Sequence, residues 1–269
     1  MFPYLEIFGR SFPMYGIMAG IGAIVAGFFA CLLVRRRKMN DNDMLIVLLF
    51  VALGVVVGGT LLYAITNARY FPVLFKVKNF EQFIAVLSVI FGGSVFYGGL
   101  IGGTLVGVLA VKIKKLPLKI YADIIAVIIP LFHAFARVGC FLGGCCYGIE
   151  SKFGFTAHGN EISPLVNDVS RFPVQLLESS LNLVIFVVLL ILYKRSLSGG
   201  FLAGKLLFCY LFMYSIVRFF DEFLRGDAVR GFIFGLSTSQ FISVILFTVS
   251  VVTMTVHAFK YKRQKNTAE

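Results

Sequence analysis

An all-α integral membrane protein of about seven transmembrane helices, forming one polytopic domain over residues 1–269, is the fold class this sequence predicts. Three observations predict it. Hydrophobic residues make up 59% of the chain and the mean hydropathy is +0.91, well above the apolar share of a soluble domain. Several apolar runs are long enough to cross a hydrocarbon core of roughly 30 Å as helices of about 20 residues, whereas barrel strands would be short and would alternate. Basic residues gather at the ends of alternate runs, which fixes one orientation.

The first span, Pro13–Val34, runs into Arg35, Arg36, Arg37 and Lys38. It has no basic segment before it and no small-residue cleavage site after it, so it is expected to be retained as a helix. Met44–Thr66 is the second span. The third, Gly92–Val111, is crowded with glycine, and the apolar stretch Phe80–Phe91 before it reads as an interfacial or re-entrant piece. Lys112, Lys114, Lys115 and Lys119 separate it from the fourth, Ile120–Gly139. Pro173–Tyr193 ends at Lys194 and Arg195, Phe201–Phe220 follows, and Phe234–Phe259 leads into Lys260, Lys262, Arg263 and Lys265. These basic clusters all fall on one side, which the positive-inside rule makes cytoplasmic, with the N-terminus outside and the C-terminus inside.

The net charge of +12 is mostly that of these anchors. They bind anionic membrane lipids, and no nucleic-acid partner is expected. The external connections Asn67–Phe91 and Cys140–Phe172 mix aromatics, glycines and scattered charges, as an arm and a small head lying on the outer leaflet would. No internal repeat and no matched pair of glycine-broken helices is visible, which removes the usual sequence pointer to a secondary transporter.

Ionisable groups inside the spans mark the candidate site, because a charge at membrane depth is expensive and faces a protein-lined cavity. His133 and Arg137 are four apart and share a helix face, and Asp123 falls about 40° from Arg137 at 3.6 residues per turn. Arg218 and Glu222 are also four apart, with Arg225 three further on. Two such faces could enclose an anionic lipid headgroup, or they could be internal salt bridges that lock helices together. Gln175 and Gln240 are equally well explained as hydrogen-bonding glue between helices. The glycines of SVFYGGLIGG (Ser94–Gly103) permit close backbone approach, which for Gly102 and Gly103 favours helix packing and for Gly98 and Gly99 leaves packing and a ligand both open.

The segments PMYG at Pro13, SVFYGGLIGG, ARVGCFLGGCCYG, RFPVQLLES, RFFDEFLR and LSTSQ occur in this order up to Gln240. Together they resemble the signature blocks of the prolipoprotein diacylglyceryl transferase family. The resemblance implies a seven-helix enzyme of the bacterial cytoplasmic (inner) membrane. Such an enzyme moves the diacylglyceryl group of phosphatidylglycerol to the lipobox cysteine thiol of a preprolipoprotein, whose signal peptide is the second partner, and releases glycerol 1-phosphate. It further implies that Arg137 and Arg218 contact the phosphate and its developing charge, and that Tyr15, Gly98, Gly99, Cys140, Gly148, Glu222 and Arg225 belong to the phosphatidylglycerol site. Asp123, Gln175, Glu178 and Gln240 also match family positions. No cofactor and no metal is implied. The other readings are a paralogue with a different acceptor and a lipid-binding or transport protein without chemistry.

Two positions depart from the family's pattern. Tyr97 stands where the family usually has histidine, and Cys140 where it usually has asparagine. The group that activates the acceptor thiol is therefore open between Tyr97, His133 one turn before Arg137, and Cys140 as a covalent carrier. For Cys140, Cys145 and Cys146, packing as small hydrophobes competes with a redox-sensitive disulfide or that nucleophilic role. Their spacing is no C-x-x-C pair and no histidine accompanies it at ligand distance, so no zinc site is predicted. Cys31, Cys209, His158 and His257 carry no motif.

Overall fold

The computed structural model describes residues 2–161, 163–227 and 231–268; Glu269 and the side chain of Lys265 lie outside the described residues. A hairpin of β1 (Tyr4–Ile7) and β2 (Arg10–Pro13) precedes α1 (Met14–Arg36) and α2 (Asp41–Thr66). A 3-10 turn, Ala68–Tyr70, then leads to α3 (Phe71–Leu74), α4 (Phe80–Phe91), α5 (Phe96–Ile113) and α6 (Leu118–Gly143). Next come the short antiparallel pair β3 (Glu150–Thr156) and β4 (Ser170–Arg171), and the helices α7 (Val174–Ser196) and α8 (Leu206–Asp221). A two-residue pair, β5 (Phe232–Ile233) and β6 (Leu236–Ser237), introduces α9 (Thr238–Ala268).

Every expected span is a helix, and α1, α2, α6, α7 and α9 are long and apolar enough to cross a membrane. The other two are shorter, α5 with 18 residues and α8 with 16, or roughly 27 and 24 Å at 1.5 Å per residue. The burial pattern is that of a membrane protein. Leu105 is 65% and Val56 64% exposed, while Asp123 and Glu178 are 1% and 2% exposed, the inverse of the pattern of a water-soluble surface.

The starts of three spans differ from the sequence expectation, each for a local reason. Gly92 ends α4 by donating its N–H to Ser88 O at 2.8 Å, so α5 begins at Phe96 rather than at Gly92. Positive φ at Gly199, Gly200 and Gly204 holds the approach to α8 in turns, and the helix begins at Leu206 rather than at Phe201. Phe234 and Gly235, both at positive φ, make the two-residue turn between β5 and β6, which delays α9 to Thr238. Phe8 and Gly9 make the same kind of turn in the first hairpin, an element the sequence reading passes over.

The chain divides into two compact units, residues 1–33 with 122–269, and residues 34–121. In the second, α2 and α5 run antiparallel at backbone contact. A Cβ added to Gly58 would sit 2.3 Å from Gly98 O, and one added to Gly102 would sit 2.3 Å from Gly54 O. These are paired small-x-x-x-small faces, in which glycine lets two backbones meet. Lys114 and Asp43 close the far end of the same pair.

In the first unit α1 crosses α6 at Gly22 and Gly139, where a Cβ would meet Phe135 Cβ at 2.8 Å and Tyr15 Cα at 3.1 Å. Helix α7 is tied to both neighbours by hydroxyls, Ser179 to Ala134 O at 3.0 Å and Tyr193 to Leu33 O at 2.9 Å. Asp123 accepts from Gly204 N at 2.6 Å and Leu206 N at 2.9 Å. It thus places a buried carboxylate at the N-terminus of α8, where unpaired N–H groups and the helix dipole favour negative charge.

Candidate functional site

The site is assembled at one end of α6, α7 and α8. Arg137 Nε, on α6, lies 2.9 Å from Glu178 Oε2 on α7, and it donates to His133 Nε2, one turn earlier on its own helix, at 3.2 Å. Glu178 Oε1 lies 3.5 Å from the same imidazole nitrogen. The three side chains form one network in a space where the carboxylate is 2% exposed. A guanidinium and a carboxylate at this depth are tolerable only when paired and hydrogen-bonded.

A second cation stands on α8. Arg218 Nη2 lies 2.9 Å from Glu222 Oε2 and donates to Ser239 Oγ on α9 at 2.8 Å. Its other terminal nitrogen, Nη1, is buried and has no hydrogen-bond partner among the described residues. The His133 ring packs against Tyr214 with centroids 5.3 Å apart. Two fixed cations, one with an uncommitted buried donor, can hold an anion and stabilise charge that grows on it.

Arg225 is held by Asp227, Nε to Oδ1 at 3.0 Å and Nη2 to Oδ2 at 2.5 Å, a bidentate fork. Its backbone bridges to Gly148. At Gly148 a Cβ would lie 2.2 Å from Phe172 O, so this glycine lets three segments of the head meet. Sequence reasoning passes over Arg171, which donates to Gly148 O at 3.3 Å and Leu165 O at 3.0 Å and stacks on the Tyr147 ring 4.4 Å away. No periodicity reveals it, because its partners lie on loops.

Tyr15 opens α1 and is half exposed. Tyr97, Gly98 and Gly99 belong to the unit of residues 34–121, where Tyr97 is 42% exposed and both glycines are buried. Gly98 packs on Gly58 O, and a Cβ at Gly99 would meet Val55 O at 3.2 Å, so packing against α2 already accounts for both.

Other motif residues have structural tasks. Gln175 Nε2 donates to Cys145 O at 2.9 Å. Gln240 and Ser237 form a reciprocal capping box at the start of α9, with Ser237 N to Gln240 Oε1 at 3.1 Å and Gln240 N to Ser237 Oγ at 3.2 Å. The S-x-x-Q pattern that announces such a box is legible in LSTSQ. Asp123 lies fourteen residues from Arg137 on α6, roughly 21 Å along the axis. Angle alone placed them together; rise separates them.

Comparison with known proteins identifies the family. The profile of the family described as Prolipoprotein diacylglyceryl transferase matches residues 4–256. A relative from Clostridium perfringens (strain 13 / Type A), named phosphatidylglycerol–prolipoprotein diacylglyceryl transferase 2, is 32% identical over 98% of this chain and 97% of its own length. A phosphatidylglycerol–prolipoprotein diacylglyceryl transferase of Clostridium tetani (strain Massachusetts / E88) is 29% identical over 95% of this chain and 97% of its own, and that of Clostridioides difficile (strain 630) is 29% identical over 97% and 95%. An apolar helical scaffold, two arginines each paired with a buried carboxylate and a match along nearly the whole chain lead to one assignment: this protein belongs to the prolipoprotein diacylglyceryl transferase family.

Proposed function

We propose that this chain moves the diacylglyceryl group of phosphatidylglycerol to the lipobox cysteine thiol of a preprolipoprotein and releases glycerol 1-phosphate. It does so as a seven-span protein of the bacterial cytoplasmic membrane, N-terminus outside and C-terminus inside. The observation that carries the reading is the pair of half-buried arginines, Arg137 fixed by Glu178 and Arg218 fixed by Glu222 with a buried Nη1 uncommitted among the described residues. The reaction breaks a carbon–oxygen bond, and the electron pair leaves with a phosphate. A cation already in position stabilises that charge without reorganisation in a medium of low dielectric.

In this assignment Arg137 and Arg218 hold the phosphate, and Arg225, Glu222, Gly148, Tyr15 and Cys140 border the lipid, while Gly98 and Gly99 pack α5 on α2. Tyr97 supplies a hydroxyl to the leaving oxygen. His133 orients Arg137 rather than acting as the base, because its Nε2 lone pair already accepts from the guanidinium and a proton there would displace that bond.

The test uses the full chain in phosphatidylglycerol-containing vesicles with a lipobox peptide. The expected result is a peptide heavier by one diacylglyceryl group and an equal amount of glycerol 1-phosphate. Release of diacylglycerol phosphate or of free glycerol instead would overturn the proposed bond cleavage, and lipid binding without any product would make this a binding protein.

A further inference from the structure

The loop that follows α6 has a geometry the phosphate site does not use. At Gly143 the helix ends and the chain turns back, with φ +78° at Gly144 and +55° at Cys146, and Cys145 N donates to Cys140 O at 3.1 Å. The turn brings the sulfurs of Cys140, Cys145 and Cys146 within 4.8 Å of one another, although their spacing in sequence follows no ligand pattern. All three are free thiols.

Separate elements hold this loop in place. Asn160 Nδ2 donates to Gly143 O at 3.2 Å, Gln175 Nε2 to Cys145 O at 2.9 Å, and Gly226 N to Tyr147 O at 2.9 Å. Cys140 is buried and the other two are half-buried, so the cluster keeps an accessible side. Arg137 Nη1 stands 4.0 Å from Cys140 Sγ. Cysteines that merely fill space have no reason to turn their sulfurs toward a common point, on a residue at positive φ, beside a guanidinium.

We propose that Cys140, Cys145 and Cys146 bind a zinc-class divalent cation as three thiolates, and that its fourth position takes the acceptor cysteine of the substrate. A tetrahedral site with Zn–S bonds of about 2.3 Å needs sulfurs about 3.8 Å apart, so the cluster contracts by no more than about 1 Å. Three thiolates and one divalent ion leave a single negative charge, and the Arg137 guanidinium stands beside it. A catalytic zinc site has this form, three protein ligands and one open position.

The proposal rests on the transferase reading and supplies what that reading lacks. A free thiol has a pKa near 8.5 and is mostly protonated at neutral pH, whereas a thiol coordinated to zinc gives up its proton outright. Cation binding releases the three protein thiol protons to solvent, and the acceptor releases its own as it coordinates. The bound sulfur then attacks the glyceryl carbon that bears the phosphate ester. The carbon–sulfur bond forms as the carbon–oxygen bond breaks, the electron pair departs with glycerol 1-phosphate, and the neutral thioether leaves the cation to the three thiolates.

The test is a Co²⁺ titration of the reduced full-length protein in detergent micelles without oxygen. The expected result is a thiolate-to-cobalt charge-transfer band with the visible bands of a tetrahedral site, lost on adding Zn²⁺. The visible bands should shift with a lipobox peptide and not with the same peptide carrying serine for cysteine. Cys145→Ser and Cys146→Ser should each weaken Co²⁺ by about a hundredfold or more, beyond the scale seen for outer-shell changes. Should either variant fail to fold, maleimide labelling of the unaltered protein decides: Zn²⁺ should protect all three cysteines.

Absence of both the charge-transfer band and the protection overturns the site, as does a disulfide that persists while cobalt fails to bind after reduction. Transfer at an undiminished rate after chelation, with no metal left, overturns the activating role. Cobalt binding that responds to the peptide, in a protein that transfers no lipid in any metal state, would sink the transferase reading and leave the metal site standing.

Discussion

Arg137 Nε and Glu178 Oε2, 2.9 Å apart, join α6 to α7 through an ion pair whose carboxylate is 2% exposed. The pair fixes the guanidinium in one place, and His133 Nε2 accepts from the same Nε at 3.2 Å. A phosphate bound as proposed would meet a cation whose orientation is already decided, and such preorganisation stabilises developing charge without reorganisation.

Replacing Arg137 by lysine keeps the charge and loses the planar fork. Arg137→Lys should lower lipid transfer by about a hundredfold, the cost of a misplaced catalytic group. The protein should still insert, since pairs within membranes contribute modestly to stability. Transfer to a lipobox peptide, normalised to folded protein by size-exclusion chromatography, is the measurement. Near-normal transfer by Arg137→Ala would remove this residue from the phosphate site.

Tyr97 and His133 are separable by substitution. Tyr97→Phe removes a hydroxyl and little volume and should lower turnover by about 10² to 10³, as loss of one donor to a developing oxyanion does. His133→Gln retains an acceptor for Arg137 and should have a mild effect. The reverse order, with an acidic limb in the pH–rate profile near the pKa of histidine, would make His133 the base instead.

Asp123 works through α8 rather than through the substrate. Asp123→Ala leaves the N–H groups of Gly204 and Leu206 without their acceptor. It should cost about 1 kcal/mol or more of stability, on the scale of a lost helix cap. Activity per folded molecule should be retained. Thermal unfolding in detergent alongside a transfer assay distinguishes this from a catalytic loss.

Two glycines of similar helical setting should respond oppositely. Gly58→Ala places a methyl 2.3 Å from the Gly98 carbonyl and must separate α2 from α5, whereas at Gly20 a methyl meets nothing within 4 Å. Gly58→Ala should lower the unfolding temperature sharply. Gly20→Ala should be neutral or stabilising by up to about 1 kcal/mol, the helix-propensity difference.

Orientation is testable by reporter fusion. A reporter active only outside the membrane should work when placed between Glu150 and Val169 and fail after Glu269, because basic clusters close every other connection. An active C-terminal fusion would invert the proposed topology and with it the face at which the lipid headgroup binds.

The membrane class, the helical character of each span and the identity of both arginines inside the spans are determined by the sequence alone. Apolar runs of fixed length admit one regular structure in lipid, and an arginine there needs a protein partner whatever the fold. Helix starts were less legible, as at Leu206 and Thr238, because the turns before them are set by backbone conformation in a chain that stays apolar throughout. Only the tertiary structure decided which charges meet. Asp123 and Arg137 share a face yet serve opposite ends of α6, and Glu178 becomes Arg137's partner from another helix. Cys140 meets Cys145 and Cys146 only because a turn at Gly144 returns the chain upon itself. Periodicity along a helix reports angle, whereas contact between helices depends on rise, crossing point and the path of the connecting loops, none of which a linear pattern encodes.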